Sequence, residues 1–157
     1  MKKVMLFTDG SVNTQTKIGF GAYLSITEQE FVTNSSIVKV KRFENTSSTK
    51  LELQTLLWAL NEIQVLDSKI IVYTDSQNIV RLKGRRDKLE KNNYRSKKNR
   101  LLNNYKLYQE FYKLTDKLDC EFYKVRGHLK SNQKGDIDKL FTLVDKASRK
   151  ALREDNP

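Results

Sequence analysis

The stretch MLFTDGS, Met5–Ser11, carries an apolar segment into a bare aspartate, Asp9, and then into glycine and serine. The stretch KIIVYTDSQ, Lys69–Gln77, does the same, with Asp75 closing a second apolar run. One such ending reads as turn punctuation. Two with the same Thr-Asp-small pattern read as a site, because ligands in open α/β sheets sit outside the carboxyl ends of adjacent parallel strands.

The elements around these two runs set the architecture. Residues 2–9 form a nearly continuous apolar strand, and GFGAYLSIT (19–27) and EFVTNSSIVKV (30–40) follow with β-branched and aromatic residues between polar turns. These three strands make an antiparallel meander. From Ser48 the period changes: Leu53, Leu56, Leu57, Leu60 and Ile63 recur three or four apart, which predicts a helix capped by Ser48 or Thr49. A short strand ends at Asp75, and SQNIVRL opens a second helix. A third helix carries Leu107, Phe111, Leu114 and Leu118 on one stripe. CEFYKV (120–125) is the last strand. A final helix runs through Ile137, Leu140, Phe141, Val144, Ala147 and Ala151. The order predicts an α/β domain: a five-stranded mixed sheet, antiparallel meander plus parallel strands, flanked by helices. The 157 residues suit a single domain, 1–157.

Composition narrows the chemistry. Mean hydropathy of −0.67 describes a highly charged surface over a modest core. No apolar stretch is long enough to span a membrane, and MKKVMLF is too short an apolar run for a signal peptide. One cysteine, Cys120, rules out an internal disulfide and points to a reducing cytoplasm. With a single histidine beside it, a Cys/His zinc site is excluded, so any metal has to be held by carboxylates. The net charge is +11, and residues 83–100 alone hold nine Lys or Arg against two acids. That concentration is the footprint of a polyanionic partner, although a charge run is also what a solvated face looks like.

Glu52 interrupts the apolar run Leu51–Leu53 near the buried edge of the first helix, on the crossover between the two aspartate strands. Taken singly, Asp9 is a turn former, Glu52 a partner for a basic side chain and Asp75 a helix cap. Taken together they repel one another unless a divalent cation lies between them, and an all-oxygen site suits Mg²⁺ or Mn²⁺.

TDGS, KLELQTLLWAL, VYTDSQ and VRGH followed by VDKASRKAL, in this order and at these spacings, resemble the successive motifs of ribonuclease H over essentially the whole chain. The turn DGSVNTQTKIGFGAY is similar to that of the retroviral domains. The basic segment, about 83–104, resembles the handle of the bacterial enzymes. The resemblance implies a ribonuclease H-like fold and hydrolysis of the RNA strand of RNA–DNA hybrids. Two Mg²⁺ ions are implied as cofactors, Mn²⁺ being able to substitute, one activating water and the other stabilising the leaving 3′ oxygen. Products would carry 5′-phosphate and 3′-hydroxyl ends.

Asp9, Glu52 and Asp75 match family metal ligands, with a fourth aspartate on the last helix. Asp145 is chosen for its signature of small neighbours, with Asp138 the alternative. His128 matches a mobile-loop histidine that shuttles a proton and helps product leave. Substrate contacts are implied for Gly10, Ser11, Asn13, Ser47, Ser48, Thr49 and Gln77, and in the handle for Arg85, Arg86, Lys97, Lys98 and Arg100. The handle lacks tryptophan and has only Tyr94 in its basic core, so it is expected to bind phosphates rather than stack on bases. The chain is expected to act as a monomer, away from membranes. Two other readings stand beside this one: a binding module of the same fold with weak catalysis, and a structure-specific nuclease of the wider superfamily.

Overall fold

The computed structural model describes residues 2–27, 29–30, 37–63, 66–125 and 135–155. Five strands form one sheet in the order β3-β2-β1-β4-β5. β1 (Lys2–Asn13), β2 (Ile18–Thr27) and β3 (Lys39–Phe43) are the antiparallel meander, and β4 (Ser68–Thr74) and β5 (Asp119–Lys124) continue it in parallel. The mixed sheet expected from the sequence is the one observed.

Four helices of the described residues cover its faces: α1 (Ser48–Ile63), α2 (Gln77–Lys91), α3 (Tyr105–Lys117) and α4 (Asp136–Asp155). Strand alternation divides the core in two. Leu6, Ile70, Val72 and Cys120 face α1, α2 and α3, whereas Phe7, Ala22, Leu24 and Ile26 face Leu140, Phe141 and Val144 of α4. None of the described helices is long and apolar enough to cross a membrane.

Several local expectations shift. β1 does not stop at Asp9. It runs on to Asn13, with Asp9 paired to Ala22 and Asn13 to Ile18 of β2. The third strand lies later than expected, at Lys39–Phe43, and residues 31–36 of the expected run fall outside the described residues. The helix α1 is capped by neither Ser48 nor Thr49. Ser47 Oγ accepts from the Lys50 N–H at 3.3 Å, because the helix begins one residue earlier than its apolar stripe implies. On α3 the most buried face is Tyr108, Phe111 and Tyr112 rather than the leucine stripe, since the tyrosines reach into the crevice beside α2. Tyr112 donates its hydroxyl to the Leu82 carbonyl at 2.6 Å.

The handle is only partly separate. Lys83–Lys91 completes α2, and residues 92–104 form the turn beyond it, with an isolated bridge between Arg95 and Leu101. Asn93, Tyr94 and Asn99 hold this turn in the left-handed region at φ 53°, 57° and 61°. For a residue as large as tyrosine that conformation is unfavourable, and it is bought by burial. Tyr94 is 8% exposed and packs in the core with Leu89 and Tyr108.

Candidate active site

The parallel pairing of β1 with β4 ends at Phe7 opposite Tyr73. Asp9 and Asp75 each lie two residues beyond that last pair. With a period of two, both carboxylates leave the sheet on the face of Phe7 and Tyr73, the face that α4 covers. The apolar run therefore meets a charge where its parallel neighbour ends and the cleft begins, although the strand itself continues.

Glu52 arrives from the opposite face. α1 approaches β1 and β2 closely because glycines remove the side chains that would hold it off. A Cβ on Gly10 would lie 2.8 Å from Leu51 Cδ2, one on Gly19 2.7 Å from the same atom, and one on Gly21 2.1 Å from Thr55 Oγ1. Gly10 and Gly21 are also register partners, so they form one notch. Leu51 and Thr55 fill it, and Glu52, the residue after Leu51, is placed at the mouth of a cleft lined with Asp9, Gly10, Ser11, Ser48 and Asp75. A second cleft, between Lys2, Lys3, Val4 and Asp67 at the other end of these strands, gathers no comparable set of carboxylates.

Ser76 ties Glu52 in place. Its hydroxyl donates to Glu52 Oε2 at 2.7 Å while accepting from the Ile79 N–H at 3.2 Å, so one oxygen caps α2 and holds a carboxylate of α1. The Ser76 N–H donates to buried Thr74 Oγ1 at 3.0 Å, which sets the bend through Asp75. Asp145, on α4, lies within hydrogen-bonding reach of Asp9 and acts electrostatically on Asp75. Asp138, two turns earlier, does something else. Its Oδ2 accepts from the Gly135 N–H at 3.3 Å and closes the first turn of α4.

The electrostatics follow from this crowding. Burial, then the Asp75 charge and the Asp145 hydrogen bond, push the Asp9 carboxyl from 3.8 up to about 8. Glu52 is raised by burial, opposed by the Ser76 hydrogen bond. Asp75 is raised by burial and by Asp145, with Lys124 and Arg149 pulling the other way. Arg149 pairs with Asp145 at 3.0 Å. No cation figures among the main influences on Asp9. Among the described residues no three Asp, Glu, His or Cys side chains stand close enough together to hold a metal ion as they are placed. The donor set is nevertheless all-oxygen and anionic, and its central member is held well above the carboxylate range by burial first and by the neighbouring carboxylates second. A hard divalent cation fits that chemistry.

The other expected site residues divide into engaged and open. Asn13 Oδ1 accepts from the Gln15 and Thr16 N–H groups at 2.9 and 3.2 Å, so it builds the β1–β2 turn. Ser47, Ser48, Thr49 and Gln77 are exposed beside the cleft, at the first turns of α1 and α2. Arg85 donates to Asn78 Oδ1 at 2.9 Å and lies over Tyr108. Arg86 is bidentate to Asp116, bonds Glu90 and covers the Tyr112 ring, so it clamps α2 to α3. Lys97, Lys98 and Arg100 are exposed on the turn and pair with no carboxylate among the described residues. His128 lies outside the described residues. The sequence reading passed over Ser76 and the glycine notch. The signal for the notch was present, since glycines inside a strand pattern often mark a close backbone approach.

Comparison with known proteins completes the picture. A family model described as RNase H matches residues 1–151. A ribonuclease H of Caldicellulosiruptor saccharolyticus is 29% identical over 158 residues, covering 98% of this chain and 99% of the relative. In fold, the chain resembles the solved PFV RNase H domain with a TM-score of 0.74, at 15% identity over 95% of this chain and 93% of that one. It likewise resembles LC11-RNase H1, solved in complex with an RNA/DNA hybrid, with a TM-score of 0.61 at 16% identity over 95% and 99% of the two chains. With a family match over nearly its whole length and the carboxylates gathered at the end of this sheet, the chain belongs to the ribonuclease H family, the endoribonucleases of RNA–DNA hybrids.

Proposed function

We propose that Asp9, Glu52, Asp75 and Asp145 are the working carboxylates of this ribonuclease H and that Mg²⁺ is the ion they hold. The observation that carries the reading is the Asp9 carboxyl, pushed to about 8 by burial, Asp75 and Asp145. An aspartate so placed is about nine-tenths uncharged at pH 7 unless a cation restores its charge. When bound, divalent ions supply an activated water and a stabilised leaving oxygen. The protein's own part is placement: the glycine notch seats Glu52, Ser76 orients it, and the bend at Thr74 presents Asp75.

The substrate would lie across the cleft with its backbone beside Ser47, Ser48, Thr49 and Gln77. Hydroxyls there can both donate to and accept from a ribose 2′-hydroxyl. The exposed cations Lys97, Lys98 and Arg100 would hold phosphates further along the duplex. Buried Tyr94 offers no stacking surface, which supports a handle that works by charge. His128 is proposed to shuttle a proton to or from the product. The chain is proposed to act as a cytoplasmic monomer.

The test is incubation with an RNA–DNA hybrid, duplex DNA and duplex RNA, each with Mg²⁺ and with excess EDTA, followed by end-group analysis. The expected result is cleavage of the hybrid's RNA strand alone, dependent on Mg²⁺, leaving 5′-phosphate and 3′-hydroxyl ends. Cleavage that persists in EDTA would refute the carboxylate–metal reading.

A further inference from the structure

Ser148 is the one buried polar side chain on α4, with no exposed surface at all. Nothing in the proposed chemistry uses it. Its hydroxyl donates to the Asp145 carbonyl at 3.0 Å, one turn back along the helix. A serine has a single hydroxyl hydrogen, so Ser148 has none left to give. The hydroxyl of Ser11, 3.0 Å away, must therefore be the donor in the Ser11–Ser148 contact.

This contact repeats another. Ser11 is two residues past Asp9 on β1 and so lies on the same face of the strand, about 7 Å further on. Ser148 is three residues past Asp145 on the same side of α4, about 4.5 Å further on. Asp9 meets Asp145, and one step along both elements Ser11 meets Ser148. Two such points fix both the height and the rotation of a helix on a strand. The apolar contacts of Leu140, Phe141 and Val144 do not, because hydrophobic burial is non-directional and tolerates sliding. A slip of one turn would carry Asp145 about 5.4 Å away from Asp9 and break the Ser11–Ser148 contact.

We propose that Ser148, with Ser11, is a positioning pair that sets the register of α4 on β1 and thereby places the Asp145 carboxylate against Asp9. The proposal rests on the reading of Asp145 as a working carboxylate. It also accounts for the assignment of Asp145 over Asp138, since only Asp145 is followed at the right interval by a small hydroxyl residue facing β1.

Ser148→Ala tests it, because Ser148 is wholly buried and alanine favours the helix. Three readouts apply: steady-state cleavage of a hybrid, Mn²⁺ binding by calorimetry without nucleic acid, and the melting temperature. The expected result is a kcat lower by about 10- to 100-fold with KM changed less than about twofold, and Mn²⁺ binding weakened by about tenfold. Ser11→Ala removes the same contact from the strand side and should give the same factors, which keeps the test open if Ser148→Ala fails to fold. Added to Asp145→Asn, Ser148→Ala should lower residual cleavage no further. Wild-type kcat and Mn²⁺ affinity in Ser148→Ala, or full additivity with Asp145→Asn, would overturn the positioning role. Wild-type cleavage by Asp145→Asn alone would instead remove the reading on which the pair rests.

Discussion

Replacing Asp9 by asparagine should abolish cleavage and at the same time stabilise the metal-free fold at high pH. The folded protein holds the Asp9 proton up to about 8, whereas the ordinary value is 3.8. Between those values the folded state binds more protons than the unfolded state, so stability falls as pH rises through the window. The full penalty is present above pH 8 and none of it below pH 4. A displacement of that size corresponds to at most about 6 kcal/mol. Because Asp9 is only half-buried at the cleft and so stays partly open to water, and because exposed Asp75 can move aside, we expect about 1–3 kcal/mol to be realised.

Asparagine keeps the shape and can still bond Asp145, but it carries no charge. Urea denaturation of both proteins in EDTA, at pH 4.5 and pH 9, isolates the effect, since every other titrating group is common to the pair. The difference in midpoint should be small at pH 4.5 and should favour Asp9→Asn at pH 9 by that amount, at equal m-value. Adding Mg²⁺ at pH 9 should close the gap by binding the wild type preferentially. An Asp9→Asn protein that is equal to or less stable than wild type at pH 9 in EDTA would refute the account of the cluster.

Four further outcomes follow from the site and its supports. Asp145→Asn should cut the Mg²⁺-dependent rate severely, while Asp138→Asn, whose amide oxygen can still accept the helix-end hydrogen bond from Gly135, should cleave nearly as wild type; the reverse ranking in a hybrid cleavage assay would move the assignment. Replacing Lys97, Lys98 and Arg100 by alanine should flatten the salt dependence of hybrid binding by about one unit of slope per lost phosphate contact. Arg86→Met should instead lower the melting temperature by freeing Asp116, with the salt slope unchanged, and a shifted slope would mean that Arg86 reaches the nucleic acid. Gly21→Ala should destabilise by about 1–3 kcal/mol, because its Cβ would sit 2.1 Å from Thr55 Oγ1, and adding Thr55→Ala should recover part of the loss. An unchanged urea midpoint for Gly21→Ala would show that α1 does not depend on the notch.

What the sequence determined by itself was whatever a short window contains. The period of Leu53, Leu56, Leu57 and Leu60 named α1, the short apolar run of Lys69–Thr74 named β4, and matching Thr-Asp endings marked two strand ends as a site. The motifs in order were enough to suggest the family. The particulars came from partners distant in sequence. β1 passes through Asp9 because β2 goes on pairing with it after β4 has ended, and no local signal at Asp9 reports that. Arg85 and Arg86 look like free handle cations until α3 supplies Tyr108, Asp116 and Tyr112. Tyr94 looks like a surface aromatic until the turn folds it beside Leu89. Asp138 and Asp145 edge the same helix stripe, so helical geometry alone could not separate them. Only the seating of α4 on β1 decides which one meets Asp9, because helix height is set by contacts 137 residues apart, between Ser11 and Ser148, and not by the helix itself.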